Sequence, residues 1–185
     1  AQSGTMGANR LPGNALTETQ VFGAIAGAEA AKRAQDANAA WPAPETAASR
    51  ASEQAAALWN RQDGVDYREV RKEITALMSL YAGVIRHEEG LRKALSAMDA
   101  IGRDKIGRLC IAENRSFGEL ARLWETRNIH AVGQLILQAA LLRQESRGAH
   151  NREDYPETSD AWRKNIVFRL KAGKTDISIL EPASF

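Results

Sequence analysis

The chain has 185 residues, enough for one domain of ordinary size or a small domain with extra segments. Its 44% hydrophobic and 26% charged residues are the balance of a soluble globular chain. The 25 Lys and Arg against 23 Asp and Glu leave a net charge of +2, and no basic run stands apart from acids, which argues against nucleic acid as a partner. No stretch approaches the roughly 20 apolar residues a bilayer span needs. The best run, Leu135 to Leu142, is short and interrupted by Gln138, so no direct membrane span is expected.

A single cysteine, Cys110, excludes an internal disulfide and a thiolate-rich metal site, and no metal is expected. Between Leu109 and Ile111 it reads as a small buried residue, although a Cys–His nucleophile is formally open. One unpaired cysteine is compatible with a reducing, cytoplasmic compartment.

A turn over Gly7 to Leu16 precedes a first helix from about Thr17 to Gln35, with Thr17 and Gln20 at capping-box spacing. Val21, Phe22, Ile25 and Ala28 share one face, while Gly23, Ala24, Ala26, Gly27, Ala30 and Ala31 leave the rest thin. Such a helix suits close approach from several sides. Ala39 to Pro44 ends the segment, because two prolines do not continue a helix, and 37–46 reads as a linker. Thr46 then resembles a cap for a helix to about Gln62, with Ala55, Leu58 and Trp59 as its stripe. Arg50, Arg61, Arg68 and Arg71, interleaved with Glu53, Asp63, Asp66 and Glu69, read as a solvated face.

From Tyr67 the helical period is regular: Val70, Ile74, Leu77, Met78, Tyr81, Val84 and Ile85, with Gly83 inside the helix as a site of close packing or a kink. Glu88 to Ile101 gives a shorter helix with Leu91, Leu95 and Met98 inward. A final long pattern takes in Phe117, Leu120, Leu123, Trp124, Ile129, Val132, Leu135, Ile136, Ala139 and Leu142. The expected fold is mainly α, an antiparallel helical bundle over 47–150. In the tail, 151–185, Ile166 to Lys171 and Asp176 to Leu180 predict a β-hairpin, which is marginal alone and should pair with another sheet or pack on the bundle.

The opening segment carries the chemistry. Asn9-Arg10-Leu11-Pro12-Gly13-Asn14 is a permissive turn ahead of a helix N-terminus, whose amides attract an anion or a partly negative oxygen. Arg10 adds a planar fork of donors suited to carboxylate or phosphate. Spacing alone leaves open a plain capped loop with a surface arginine.

The wording goes further. Gly7-Ala8-Asn9-Arg10-Leu11, then Gly13-Asn14-Ala15-Leu16 and Val21-Phe22-Gly23, resembles a flavin-site segment of the succinate dehydrogenase/fumarate reductase flavoprotein family. Glu145-Ser146-Arg147-Gly148-Ala149-His150, continuing through Arg152 to Pro156, resembles a second segment of it. Met78, Gly83, Val84, Arg86, Gly90, Leu91 and Ala94 resemble its helical C-terminal domain. L-aspartate oxidase belongs to the same wider group.

The resemblance implies an FAD-dependent oxidoreductase subunit that interconverts succinate and fumarate, of which this chain is the C-terminal part. Residues 1–36 would be the last piece of the FAD-binding domain. Arg10 matches the arginine that grips a substrate carboxylate, and Gly13 a position whose main chain meets the substrate. Ala15 and Leu16 match the pair whose amides approach the flavin ring. Pro12 and Ala15 stand where glycine and serine are expected, so a hydroxyl contact is lost and the Ala15 amide kept. The bundle would support the flavin domain and meet an iron–sulfur electron-transfer subunit, with any membrane association made through partner subunits.

Glu145 to Asp154 reads as structural, a helix end with Arg143 and Arg147 opposing the dipole. The dinucleotide fingerprint, the flavin-attachment histidine and the proton-donating arginine of the family are absent, so the chain alone is expected to be inactive and to bind no FAD. Two alternatives stay open, a piece of an L-aspartate oxidase and a stand-alone helical interaction module.

Overall fold

Hydrophobic periodicity and capping between them set most of the elements in the computed structural model, which describes residues 13–36, 44–171 and 174–181. The chain divides into two units, Ala1–Gln54 and Ala55–Phe185.

The first unit holds α1 (Asn14–Asp36) and the start of α2 (Pro44–Asn60). Helix α1 begins three residues before the expected Thr17 cap. Gly13 supplies the reason: its φ of +91° makes a left-handed turn that glycine adopts without a side-chain clash. Thr17 then lies within the helix, and the Thr19 hydroxyl donates to the Leu16 carbonyl at 2.7 Å. Leu16, Val21, Phe22 and Ile25 are all exposed. Helix α2 begins at Pro44, two residues before the expected Thr46 cap, because proline fits a first helical position whose N–H needs no helical acceptor. Residues 37–43, most of the expected linker, lie outside the described residues. The end of α2 carries the anticipated stripe, with Leu58 buried and Ala55 and Trp59 half-buried.

The second unit runs β1 (Val65–Asp66), α3 (Tyr67–Tyr81), β2 (Ile85–Arg86), α4 (Glu88–Asp104), β3 (Leu109–Cys110), α5 (Phe117–Leu142), β4 (Asn151–Arg152), β5 (Asn165–Lys171) and β6 (Lys174–Leu180). Each helix start has a side-chain cap that satisfies a free amide. Asp66 accepts from the Arg68 amide at 2.8 Å, His87 from Gly90 at 3.1 Å, and Ser116 from Glu119 at 3.3 Å. Tyr67 and Arg68 reach Glu119, and Arg71 reaches Glu125, so α3 and α5 run side by side in one direction. Lys105 meets Glu73, and His130 meets the Met98 carbonyl, which sets α4 antiparallel to both.

Their shared interior is Val70 and Ile74 from α3, Leu91, Ala94, Met98 and Ile101 from α4, and Leu123, Leu137 and Ala140 from α5. Each fully buried large aliphatic contributes about 1.5–3 kcal/mol. Helices α4 and α5 approach closely at Gly133, where an added Cβ would lie 2.8 Å from Met98 Cε.

Several sequence expectations change. Helix α3 stops at Tyr81, so Gly83 lies beyond the helix and Val84 and Ile85 are exposed. The competing interaction is the parallel ladder of Ile85–Arg86 on Asn151–Arg152. On α5, Phe117, Val132 and Ile136 face outward, because Thr126, His130 and Gly133 take inward positions. The two polar residues tolerate burial by bonding: Thr126 to the Arg122 carbonyl at 2.8 Å and His130 to the Met98 carbonyl at 2.8 Å. The arginine-rich face is less solvated than expected. Arg61 donates to the Gly107 and Leu109 carbonyls, and Arg68 pairs with Asp66 and Glu119.

The tail forms the expected hairpin, with Ile166 opposite Ile179 and Phe168 opposite Ile177. It joins no other strand among the described residues, so the second sheet that the sequence called for is not what supports it.

Candidate functional site

Two places carry the residues singled out by sequence. At the start of α1, Gly13, Ala15 and Leu16 fall within four residues of one another, with Gly13 in its left-handed turn and the other two in the first helical turn. First-turn amides have no acceptor within the helix. No acidic side chain stands in that turn, so their positive field is not met by a local carboxylate. Leu16 is exposed and Ala15 half-buried. Arg10 lies outside the described residues. The donor set fits a partly negative ring edge at the helix start, which is the group the resemblance implies.

The second place is the end of α5. Its last carbonyls need donors, and Arg152 supplies them. The guanidinium is fully buried, and its Nη1 donates to the Ala140, Leu141 and Arg143 carbonyls at 2.7, 3.3 and 3.2 Å. Its Nε and Nη2 form a fork on Asp154 at 2.7 Å each. Asp154 in turn accepts from the Glu88 amide at 2.9 Å, so one ion pair joins the end of α5 to the start of α4.

Beside it, the buried Glu145 accepts from Arg143 at 2.6 Å, from Arg147 at 2.8 and 3.0 Å, and from the Ser159 amide at 2.9 Å. Arg143 continues to the Trp162 and Lys164 carbonyls, both at 2.7 Å, and so fixes the approach to β5. Arg143 and Arg147 therefore hold Glu145 rather than facing the helix dipole as expected. Arg152 takes that position because its backbone is already anchored: its amide donates to Ser146 Oγ at 2.8 Å within the β4 turn.

His150 completes the cluster, with Nδ1 3.0 Å from Arg86 Nη1 and Nε2 3.3 Å from the Arg143 carbonyl. Arginine is always a donor, so Nδ1 accepts and Nε2–H donates, which fixes the neutral tautomer. Burial first, then the charges of Arg86, Arg152 and Arg143, lower its pKa. For Glu145, burial would raise the pKa. Bonds from Arg147, the Ser159 amide and Arg143 outweigh that and hold it at about 2. Asp154 also sits at about 2, chiefly through the Arg152 fork. Acids this low and a histidine this neutral transfer no protons near neutrality, so the cluster is a fastening. Spacing does not reveal the role of Arg152; its signal in the sequence is the alternation of Arg143, Glu145, Arg147, Arg152 and Asp154.

Cys110 is buried, and burial, then the nearby Asp66 carboxylate, push its thiol pKa up, the opposite of an activated nucleophile. Among the described residues, no group of three or more His, Cys, Asp or Glu is placed to hold a metal ion. No described helix is long and apolar enough to cross a membrane.

These features define a helical-bundle domain closed by a charge cluster and followed by a β-hairpin. Residues 71–183 match the family described as fumarate reductase flavoprotein C-term, and the chain belongs to that family. An uncharacterized FAD-dependent oxidoreductase of Methanocaldococcus jannaschii is 35% identical over 96% of this chain and 32% of its own length. The flavin-family polypeptide of the fumarate reductase (CoM/CoB) of Methanothermobacter marburgensis is 35% identical over 91% of this chain and 30% of its own. An L-aspartate oxidase of Rhodospirillum rubrum is 35% identical over 87% of this chain and 48% of its own. The Mycobacterium smegmatis Sdh1 complex in the apo form superposes with a TM-score of 0.85 at 29% identity, over 97% of this chain and 31% of that one. The chain thus spans about a third of the length of the first relatives it matches.

Proposed function

We propose that this chain serves as the C-terminal part of an FAD-dependent oxidoreductase subunit that interconverts succinate and fumarate. The observation that carries the reading is similarity along almost the whole chain to an FAD-dependent oxidoreductase and to a fumarate reductase polypeptide. When bound, the flavin supplies hydride exchange with a C4 dicarboxylate. Arg10 grips a substrate carboxylate, the main chain at Gly13 meets the substrate, and the Ala15 and Leu16 amides approach the ring. The bundle supports the flavin domain from outside the reacting centre. An iron–sulfur subunit is the proposed electron partner, and any membrane association runs through partner subunits.

L-aspartate oxidase is the second reading, favoured by its own match at 35% identity. Both substrates are C4 dicarboxylates, so Arg10 serves either. The test is an assay of the full-length protein with succinate, fumarate and L-aspartate, with flavin stoichiometry measured alongside. Turnover of succinate or fumarate supports the first reading, turnover of L-aspartate alone the second, and a flavin-free, inactive protein neither. The isolated 185-residue chain is expected to be mainly helical by circular dichroism and to stay colourless after incubation with FAD.

A further inference from the structure

We propose that the corner between α3 and α4 is a docking surface for a protein partner that sets one carboxylate on Arg86 and aliphatic side chains over Leu80, Val84 and Ile85. The half-buried Arg86 guanidinium donates through Nε to the Gly83 carbonyl at 3.0 Å and through Nη1 to His150 at 3.0 Å. Neither acceptor carries charge, and no carboxylate pairs with Arg86 among the described residues. Its neighbours in the cluster differ: Arg143, Arg147 and Arg152 each have an acid. Four guanidiniums therefore share Glu145 and Asp154, and the uncompensated one faces outward. Leaving a partly desolvated charge unpaired is unfavourable, and an incoming carboxylate relieves it.

The surroundings say what brings that carboxylate. Val84 is 82% exposed, Leu80 69% and Ile85 60%. They offer no hydrogen-bond donors to a small anion, but aliphatic contact area to a polypeptide. An arginine amid exposed aliphatics is the composition of an interface centre. His150, held neutral by its bonds, orients Arg86 without competing for the acid. The inference concerns charge at this corner and holds whichever dicarboxylate the protein uses.

The test takes the native assembly purified from source cells beside the isolated chain. Phenylglyoxal modification of Arg86 and hydroxyl-radical oxidation of Val84 and Ile85 are read by mass spectrometry. Both labels should be lost in the assembly and retained in the isolated chain. Arg86→Lys in the same assembly, treated with a carbodiimide, should cross-link position 86 to one Asp or Glu of a polypeptide outside residues 1–185. Equal labelling in the two samples overturns the proposal, as does a cross-link to a second copy of this chain. Protection of Arg86 in the isolated chain by acetate alone also overturns it, since the corner would then bind small anions. The labelling arm uses the unsubstituted protein, so it decides the matter even if Arg86→Lys fails to fold.

Discussion

Each end of the three-helix bundle is tied by a two-residue parallel ladder, yet the two ends are sealed in opposite ways. At one end, Val65–Asp66 pairs with Leu109–Cys110, and the seal is apolar: Leu109, Ile111 and Tyr67 are buried. At the other, Ile85–Arg86 pairs with Asn151–Arg152, and the buried side chains are Arg152 and Glu145. An apolar seal tolerates truncation in proportion to the volume removed. A buried ionic seal is unforgiving, because removing one partner strands the other. The ionic end also depends on pH, whereas the apolar end has few groups to titrate.

The largest effect is expected from Arg152→Ala, which strands Asp154 and three carbonyls at the end of α5. A loss of about 3–5 kcal/mol in urea unfolding is predicted. A loss below about 1 kcal/mol, the range of an exposed pair, would erase the contrast between the ends. At the apolar end, Leu109→Ala should cost about 2–5 kcal/mol through lost burial and a cavity, and that cost should not vary between pH 5 and 7 by the same denaturation assay. Gly64→Ala is a smaller test of the same end. Its Cβ would lie 2.1 Å from the Arg108 carbonyl oxygen, so the backbone must shift, at about 1–3 kcal/mol in thermal unfolding.

The pH effect is graded. The His150 pKa is lowered by folding, so the folded state binds fewer protons than the unfolded one as pH falls below about 6.5, and stability declines there. Glu145 and Asp154 are lowered to about 2, so their contribution is present above the ordinary carboxylate range and is lost as pH falls through it toward 2. Hydrogen exchange of the Glu153 amide, which donates to the Arg86 carbonyl, should quicken between pH 7 and 5 beyond the intrinsic change. The β1–β3 amides should not. Equal behaviour at both ends would remove His150 from the account.

The helices are readable in the sequence because Val70, Ile74, Leu91 and Met98 recur at the helical period and are buried as that period requires. The end of α3 is not, because it depends on pairing with a strand that follows both α4 and α5. Local spacing misplaces the start of α1, offering Thr17 as a cap while the left-handed Gly13 allows an earlier start. At the charge cluster, the residues can be named from sequence but not their pairing, since only the fold decides which arginine turns beneath the helix. The α5 stripe is broader in sequence than in the fold: a 26-residue helix has apolar residues on several faces, and hydropathy cannot tell an inward Thr126 from an outward Val132. The substrate and flavin positions come from resemblance, with Arg10 outside the described residues.

That arginine gives the most direct test of the central claim. In the full-length protein, Arg10→Met keeps most of the stem and removes the fork, leaving a substrate carboxylate without its partner. Steady-state kinetics on succinate, fumarate and L-aspartate should show a loss of about 3–5 kcal/mol, or roughly two to four decades in kcat/KM. Arg10→Lys should recover only part, since an ammonium does not reproduce the planar pair of donors. Flavin content should remain near normal in both. Turnover of Arg10→Met within a few-fold of the unsubstituted protein on its best substrate would contradict the account.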